Sequence, residues 1–359
     1  MSVASRLQRL DAVLEESDLD ALLVTNLTNT RWLSGFTGSN GHLLLCRNTR
    51  RLFTDSRYAE QATAELGESD ADVEVVITRD PIEAIGGALD GHARLGLEAD
   101  HVTWATQRRL ADRTVDVELV PVDELIVGLR SVKDADEIFR MESAAAVADE
   151  SLAAVIDLMR PGTTERAFAA ALDQTMRERG ADDPAFETIV AAGPNSARPH
   201  ARPGERPFVA GDLVVVDVGA TVGGYRSDMT RTFVLGAPTS EQQRQLEVVR
   251  SAQRAGIDAI APGATCVDVD AACRSVIADA GWSEAFGHGA GHGVGLDIHE
   301  LPRINSRSED VLVADMVVTV EPGVYLGDRG GVRWEDLVLV TATGRRCLTG
   351  SPYDPVVAV

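Results

Sequence analysis

The segment Asp157-Leu-Met-Arg-Pro161-Gly162-Thr-Thr returns as Asp258-Ala-Ile-Ala-Pro262-Gly263-Ala-Thr, and each copy runs on into a helical stretch ending near a glycine, Gly180 or Gly281. A chain with an internal repeat folds as two similar halves, which restricts the architecture before any single element is assigned. The repeat continues, with small changes of length, into two strand-turn-strand patterns. In the first, the apolar run Leu213-Val214-Val215-Val216 ends in Asp217, a turn with Gly219, Gly223 and Gly224 follows, and Asp228 opens the β-prone stretch Met229 to Leu235. In the second, Met316 to Val320 ends in Glu321, a turn with Gly323, Gly327, Gly330 and Gly331 follows, and Glu335 precedes Leu337-Val338-Leu339-Val340.

Asp217 therefore corresponds to Glu321, and Asp228 to Glu335. Halves related by an approximate twofold axis would bring the four carboxylates together at the centre. With His292 they are spaced as donors to a pair of metal ions. Hard cations, and borderline ones such as manganese and zinc, need such donors on a stiff frame, and neighbouring strands provide one.

At 359 residues the chain is long enough for two domains, and 44% apolar residues are enough for an ordinary core. A net charge of -22 argues against nucleic acid and anionic membrane as partners, because phosphate binding needs a basic face. Lys133 is the sole lysine among 34 basic residues, which leaves 33 arginines. An acidic, lysine-poor chain suits a high-salt cytoplasm, and a GC-rich genome also replaces lysine by arginine; composition leaves both open. Cys46, Cys266, Cys273 and Cys347 have no CxxC spacing and read as buried free thiols. The N-terminal stretch is charged and amphipathic, without the apolar core of a signal peptide, and no later run reaches the roughly 18 apolar residues of a membrane span. A cytoplasmic protein is expected.

In the first third, Leu7, Leu10, Val13 and Leu14 share a helical face, and Ala21 to Val24, His42 to Cys46, Val73 to Ile77 and Arg94 to Leu97 read as strands. With a helical stretch from Tyr58 to Leu66 between them, they predict an α/β domain. The segment Gly128 to Asp134 leads into a long helix reaching Ile156, which sets a domain boundary near residue 130 and divides the chain into 1–130 and 131–359.

Between the paired strands lies Gly287-His288-Gly289-Ala290-Gly291-His292-Gly293-Val294-Gly295-Leu296-Asp297-Ile298-His299-Glu300. Its glycines do not form the G-x-G-x-x-G of a dinucleotide site, and no second histidine stands one helical turn after His299-Glu300, as a zincin would need. The glycines are expected to let backbone pass close to a ligand while the imidazoles point inward. Three histidines in twelve positions beside unpaired acids favour ligation or catalysis over a structural role.

These segments, with Val320-Glu321-Pro322-Gly323 and Val332-Arg333-Trp334-Glu335-Asp336, resemble the signature of the pita-bread metallopeptidases, the family of methionine aminopeptidase, aminopeptidase P and prolidase. Arg31-Trp32-Leu33-Ser34-Gly35-Phe36-Thr37-Gly38-Ser39 and Thr54-Asp55-Ser56-Arg57-Tyr58 resemble the creatinase-type domain of the proline-specific members, so the resemblance covers essentially the whole chain. It implies an α/β N-terminal domain followed by an α+β pita-bread domain, duplicated about a pseudo-twofold axis. It also implies two divalent ions, with manganese first and cobalt or zinc as alternatives. Asp217 would bind one ion, His292 and Glu321 the other, and Asp228 and Glu335 would bridge them. Glu321 would act as general base and then as proton donor to the proline nitrogen. His200 and His299 match histidines that contact the scissile carbonyl and the substrate, and His288 matches a further site histidine. Arg333 would orient ligands from behind, and Arg303 resembles a prolidase arginine suited to a substrate carboxylate. The implied substrates are Xaa-Pro peptides and the implied assembly is a homodimer. Xaa-Pro dipeptidase is preferred, with aminopeptidase P as the alternative and a non-catalytic peptide-binding protein of the same fold as the rival from another class.

Overall fold

The strand-forming runs of the first third assemble into one six-stranded mixed sheet in the computed structural model, which describes residues 2–47 and 49–358. Its strands are β1 (Ala21–Val24), β2 (His42–Cys46), β3 (Arg50–Thr54), β4 (Glu74–Ile77), β5 (Arg94–Glu98) and β6 (Glu118–Val122), in the order β4-β3-β2-β1-β5-β6. β1, β5 and β6 run parallel, whereas β2 is antiparallel to both β1 and β3. Helices α1 (Val3–Glu16), α2 (Leu27–Ser34), α3 (Ala59–Glu68), α4 (Pro81–Ala88), α5 (Trp104–Arg113) and α6 (Leu125–Ser131) complete this part of the chain. The predicted α/β organisation is present: α1 buries Leu7, Leu10 and Leu14, with Val13 half-buried, and Ala21, Leu23, Leu44, Leu95 and Leu97 join Ile82, Ile85 and Leu110 in one core. The chain separates into compact units at Met1–Arg130 and Ser131–Val359.

The second unit is built twice. In its first half, α7 (Ala135–Val155) and α8 (Glu165–Glu178) precede a short β7 (Asp183–Pro184), β8 (Ile189–Ala192), β9 (Leu213–Val218), the small pair β10 (Ala220–Val222) and β11 (Tyr225–Arg226), and β12 (Met229–Leu235). The second half repeats the plan with α9 (Ser240–Ala259), α10 (Cys266–Asp279), β13 (Gly291–Gly293), β14 (Glu300–Ile304), β15 (Val317–Val320), the small pair β16 (Gly323–Tyr325) and β17 (Gly331–Arg333), and β18 (Asp336–Thr341). β19 (Gly344–Cys347) and β20 (Val356–Val357) then edge the two sheets, β14-β13-β15-β18-β19 and β20-β12-β9-β8.

The repeated octapeptides occupy equivalent places. Gly162 and Gly263 both take positive φ, 95° and 87°, and Thr164 and Thr265 each cap the following helix. Each threonine also bridges to the segment that approaches the next long strand, Thr164 to Pro207 and Thr265 to Val311. The helices end at Gly180 and Gly281, again with positive φ, which side chains other than glycine resist.

Two details depart from the sequence expectation. β9 runs one residue past Asp217, so Asp217 pairs with Thr230 inside the ladder, whereas Glu321 lies just beyond the last pair, Val320 with Asp336. The two glycine-rich turns are themselves small hairpins, β10/β11 and β16/β17.

Candidate metal centre

β9 and β12 are buried along their whole length, so the carboxylates they carry or adjoin are fixed in a low-dielectric interior. Ligand atoms of Asp228, His292 and Glu335 all lie within 4.8 Å of one another. His292 Nε2 is 3.4 Å from Glu321 Oε1 and 3.7 Å from Asp228 Oδ2. Asp217 joins the cluster through Arg333, whose Nη2 donates to Asp217 Oδ2 at 2.6 Å. The five residues expected as metal ligands therefore lie close together, Asp228, His292 and Glu335 most tightly.

The imidazole of His292 is oriented for ligation. Its Nδ1 lies 3.0 Å from the Gly293 carbonyl, an acceptor, so Nδ1 carries the proton and Nε2 presents its lone pair to the carboxylates. Burial pulls the His292 pKa down, which keeps the ring neutral. The register explains why one half supplies an imidazole and the other does not. Gly293 pairs with Val318 and Ala192 pairs with Val214, so the strand position of His292 corresponds to Ala191.

The site concentrates buried carboxyl groups around a single guanidinium. Burial, then the neighbouring carboxylates, raise the pKa of Asp228 and Glu335 well above the ordinary value, and burial raises Glu321 as well. Burial also works against the Arg333 cation, yet the field of Tyr325 and the carboxylates outweighs it and holds the guanidinium charged. Four carboxylates against one guanidinium leave room for divalent cations, which would reverse the cost of ionising the acids. A second observation fits: Asp217 Oδ1 is buried with no hydrogen-bond partner, while Oδ2 is bound by Arg333. An anionic oxygen enclosed in this way calls for a cation.

Behind the ligands, Thr230 Oγ1 donates to Glu335 Oε2 at 2.6 Å and accepts from Arg333 Nε at 3.0 Å. Arg333 Nη1 donates to the Tyr325 hydroxyl at 2.8 Å. His288, expected to touch substrate, has Nδ1 at 2.8 Å from the Gly289 carbonyl and Nε2 at 3.2 Å from Tyr325. Both its nitrogens are thus engaged by protein groups, Tyr325 reaching into the same space. His299 is exposed and packs edge-on against His292, with ring centroids 4.4 Å apart; His200 is exposed as well. Arg303 is exposed and pairs across the ladder with His292, which puts both side chains on one face of the sheet.

Thr230, Thr319 and Tyr325 escaped the sequence reading. Thr230 stands two residues after Asp228 and Thr319 two before Glu321, so the period-2 rule would have put them on the ligand face. Thr319 Oγ1 accepts from the His292 backbone N–H at 3.1 Å. The glycines also meet a packing need. A Cβ on Gly291 would lie 2.0 Å from the Thr319 carbonyl oxygen, and one on Gly293 would lie 2.1 Å from that of Leu301. They let neighbouring strands close on His292. Cys347 is exposed, against the expectation of four buried thiols; Cys46, Cys266 and Cys273 are buried. No helix among the described residues is long and apolar enough to cross a membrane.

Residues 140–342 match metallopeptidase family M24, and residues 6–132 match the creatinase/prolidase N-terminal domain. A Pyrococcus horikoshii protein named Xaa-Pro dipeptidase is 35% identical over 345 residues, 96% of each chain. The solved structure of the Xaa-Pro dipeptidase from Bacillus anthracis has a TM-score of 0.95 at 35% identity and covers 100% of both chains. That of the X-Pro aminopeptidase from Thermotoga maritima has a TM-score of 0.87 at 35% identity, covering 95% of this chain and 98% of the other. With the duplicated halves and the gathered acids, these whole-length similarities identify the chain as a metallopeptidase of family M24, a pita-bread catalytic domain preceded by a creatinase/prolidase N-terminal domain.

Proposed function

We propose that the protein is an Xaa-Pro dipeptidase, a prolidase, with catalytic residues 131–359 preceded by a creatinase-type domain at 1–130. The observation that carries the reading is the buried, unpartnered Asp217 Oδ1 beside the converged Asp228, His292 and Glu335. Asp217, Asp228, His292, Glu321 and Glu335 would hold two divalent ions. An oxygen-rich set with one imidazole suits manganese, and cobalt or zinc accept the same donors. When bound, such ions make water acidic enough to ionise near neutral pH and supply positive charge for a carbonyl oxygen.

The chain's own groups do the rest. Glu321, with a carboxyl raised by burial, takes the proton of the attacking water and returns it to the departing proline nitrogen. A bond to proline has no N–H and a ring-fixed φ, so the substrate is held through its carbonyl and its ends. His200 and His299 donate to the carbonyl at the open side of the site. Arg333 holds Asp217 in place, and His288 steadies Tyr325 against it. Arg303, opposite His292 on the ladder, pairs with the free carboxylate of a dipeptide. That last contact is what favours a dipeptidase over aminopeptidase P, which leaves that end open.

The test compares Ala-Pro with Ala-Pro-Ala on manganese-loaded protein. Preference for Ala-Pro supports the reading, and preference for the tripeptide replaces it with aminopeptidase P. Activity that survives thorough chelation sinks the metal assignment, and binding without cleavage points to a peptide-binding protein. By family analogy we take the working unit to be a cytoplasmic homodimer; a monomer mass by light scattering would overturn the assembly.

A further inference from the structure

The chain uses arginine for every basic side chain but one, and the exception is enclosed. Lys133 Nζ lies 3.1 Å from Glu300 Oε2, with side-chain exposures of 1% and 2%. A compact ammonium suits a closed slot beside one carboxylate oxygen, where a guanidinium would bring a planar fork of five donors. The other oxygen of Glu300 accepts from the Asp297 backbone N–H at 3.0 Å. Gly295 lies against the same carboxylate, since a Cβ there would be 2.5 Å from Oε2. Lys133 is itself held, its backbone N–H donating to the Asp315 carbonyl at 2.9 Å beside the Val132–Met316 bridge.

This ion pair sits at the root of the substrate-facing segment. Glu300 directly follows His299 and begins β14, the strand that carries Arg303. From the opposite side, Arg226 donates through its backbone N–H to the Gly295 carbonyl at 2.9 Å and through Nε to that of Leu296 at 3.1 Å. Residues 294–300 are thus clamped at both ends, and His299 directly adjoins the second clamp at Glu300. We propose that Lys133 is a positioning residue for peptide binding: through Glu300 it holds the loop that presents His299 and the strand that presents Arg303. The role rests on the reading of the site as an Xaa-Pro peptidase.

The experiment uses full-length, manganese-loaded protein as wild type, as Glu300→Gln, and as Lys133→Met combined with Glu300→Gln. Glutamine keeps an oxygen for the Asp297 N–H, and the double substitution leaves no stranded buried charge. Backbone hydrogen exchange over 294–300 is expected to quicken by about tenfold in both variants. KM for Ala-Pro should rise by about tenfold while kcat changes by less than about threefold, the pattern of lost binding rather than lost chemistry. Metal content should equal that of wild type. Unchanged exchange overturns the tether, and faster exchange with an unchanged KM overturns the positioning role. In the wild type the Asp297 amide must be protected, so an unprotected amide overturns the tether without any variant. A wild type that leaves Ala-Pro uncut overturns the functional reading and the positioning role with it, while the exchange data still judge the tether.

Discussion

Arg333 and Asp217 make a one-sided pair: the guanidinium binds Oδ2 at 2.6 Å, and Oδ1 of the same carboxylate is buried without a partner. One arginine both neutralises the aspartate in part and aims its free oxygen.

Removing that arginine should therefore damage the site without touching a proposed ligand. Arg333→Ala takes partners from Asp217, Thr230 and Tyr325 together. Losses of this kind cost about 10–100-fold in metal affinity or activity. Manganese titration and kcat/KM at saturating metal will show it; a variant with unchanged values for both would leave Arg333 without a role in the site.

Metal should stabilise the protein more at pH 8 than at pH 5. Burial raises the folded-state pKa of Asp228, Glu335 and Glu321, so chelated protein keeps protons on these groups where the unfolded chain has released them. Their contribution to stability is complete below the ordinary carboxylate range and falls as pH rises through it toward the raised values. Cations favour the ionised acids and cancel that loss. Thermal melts with chelator and with manganese from pH 5 to 8 should separate progressively, and a constant gap would refute this.

Arg231 and Asp336 form a second buried pair, 2.8 Å apart, directly behind Glu335. Arg231 also donates to the carbonyls of Thr230, Glu335 and Ser351, and Asp336 accepts from Gln253, Thr349 and Tyr353. Arg231→Met should cost about 3–5 kcal/mol in chemical denaturation because it strands a buried carboxylate. Adding Asp336→Asn should recover part of the loss, and no recovery would mean that the arginine's carbonyl contacts dominate.

The thiols should divide by exposure. Burial pushes Cys266 and Cys273 up to about 12, so both stay protonated and inert to alkylation near neutral pH. Cys347 is the exposed thiol and should be the first labelled in native protein, as mass mapping of modified peptides will reveal.

Much of the second unit was legible because its long central strands are buried on both faces. Val214 to Val216 and Leu337 to Val340 read as continuous apolar runs for that reason, and the acids at their ends stood out against them. The octapeptide repeat revealed the two halves because its glycines and capping threonines are set by local backbone geometry. Groups whose role depends on ladder register were hidden. Thr230 looks like any strand threonine until its place opposite Asp217 is known, and Tyr325 meets His288 only because β16 folds back on β17. The enclosed pairs Lys133–Glu300 and Arg231–Asp336 join residues more than a hundred positions apart, a separation that periodicity does not reach.

The burial of Lys133 also settles how the native protein meets amine chemistry. With one lysine in the sequence, and that one sealed against Glu300, the folded surface offers no ε-amine to aldehydes, activated esters or lysine-directed modifying enzymes. A surface rich in arginine and carboxylates thus keeps its positive charges in a form those reagents do not consume.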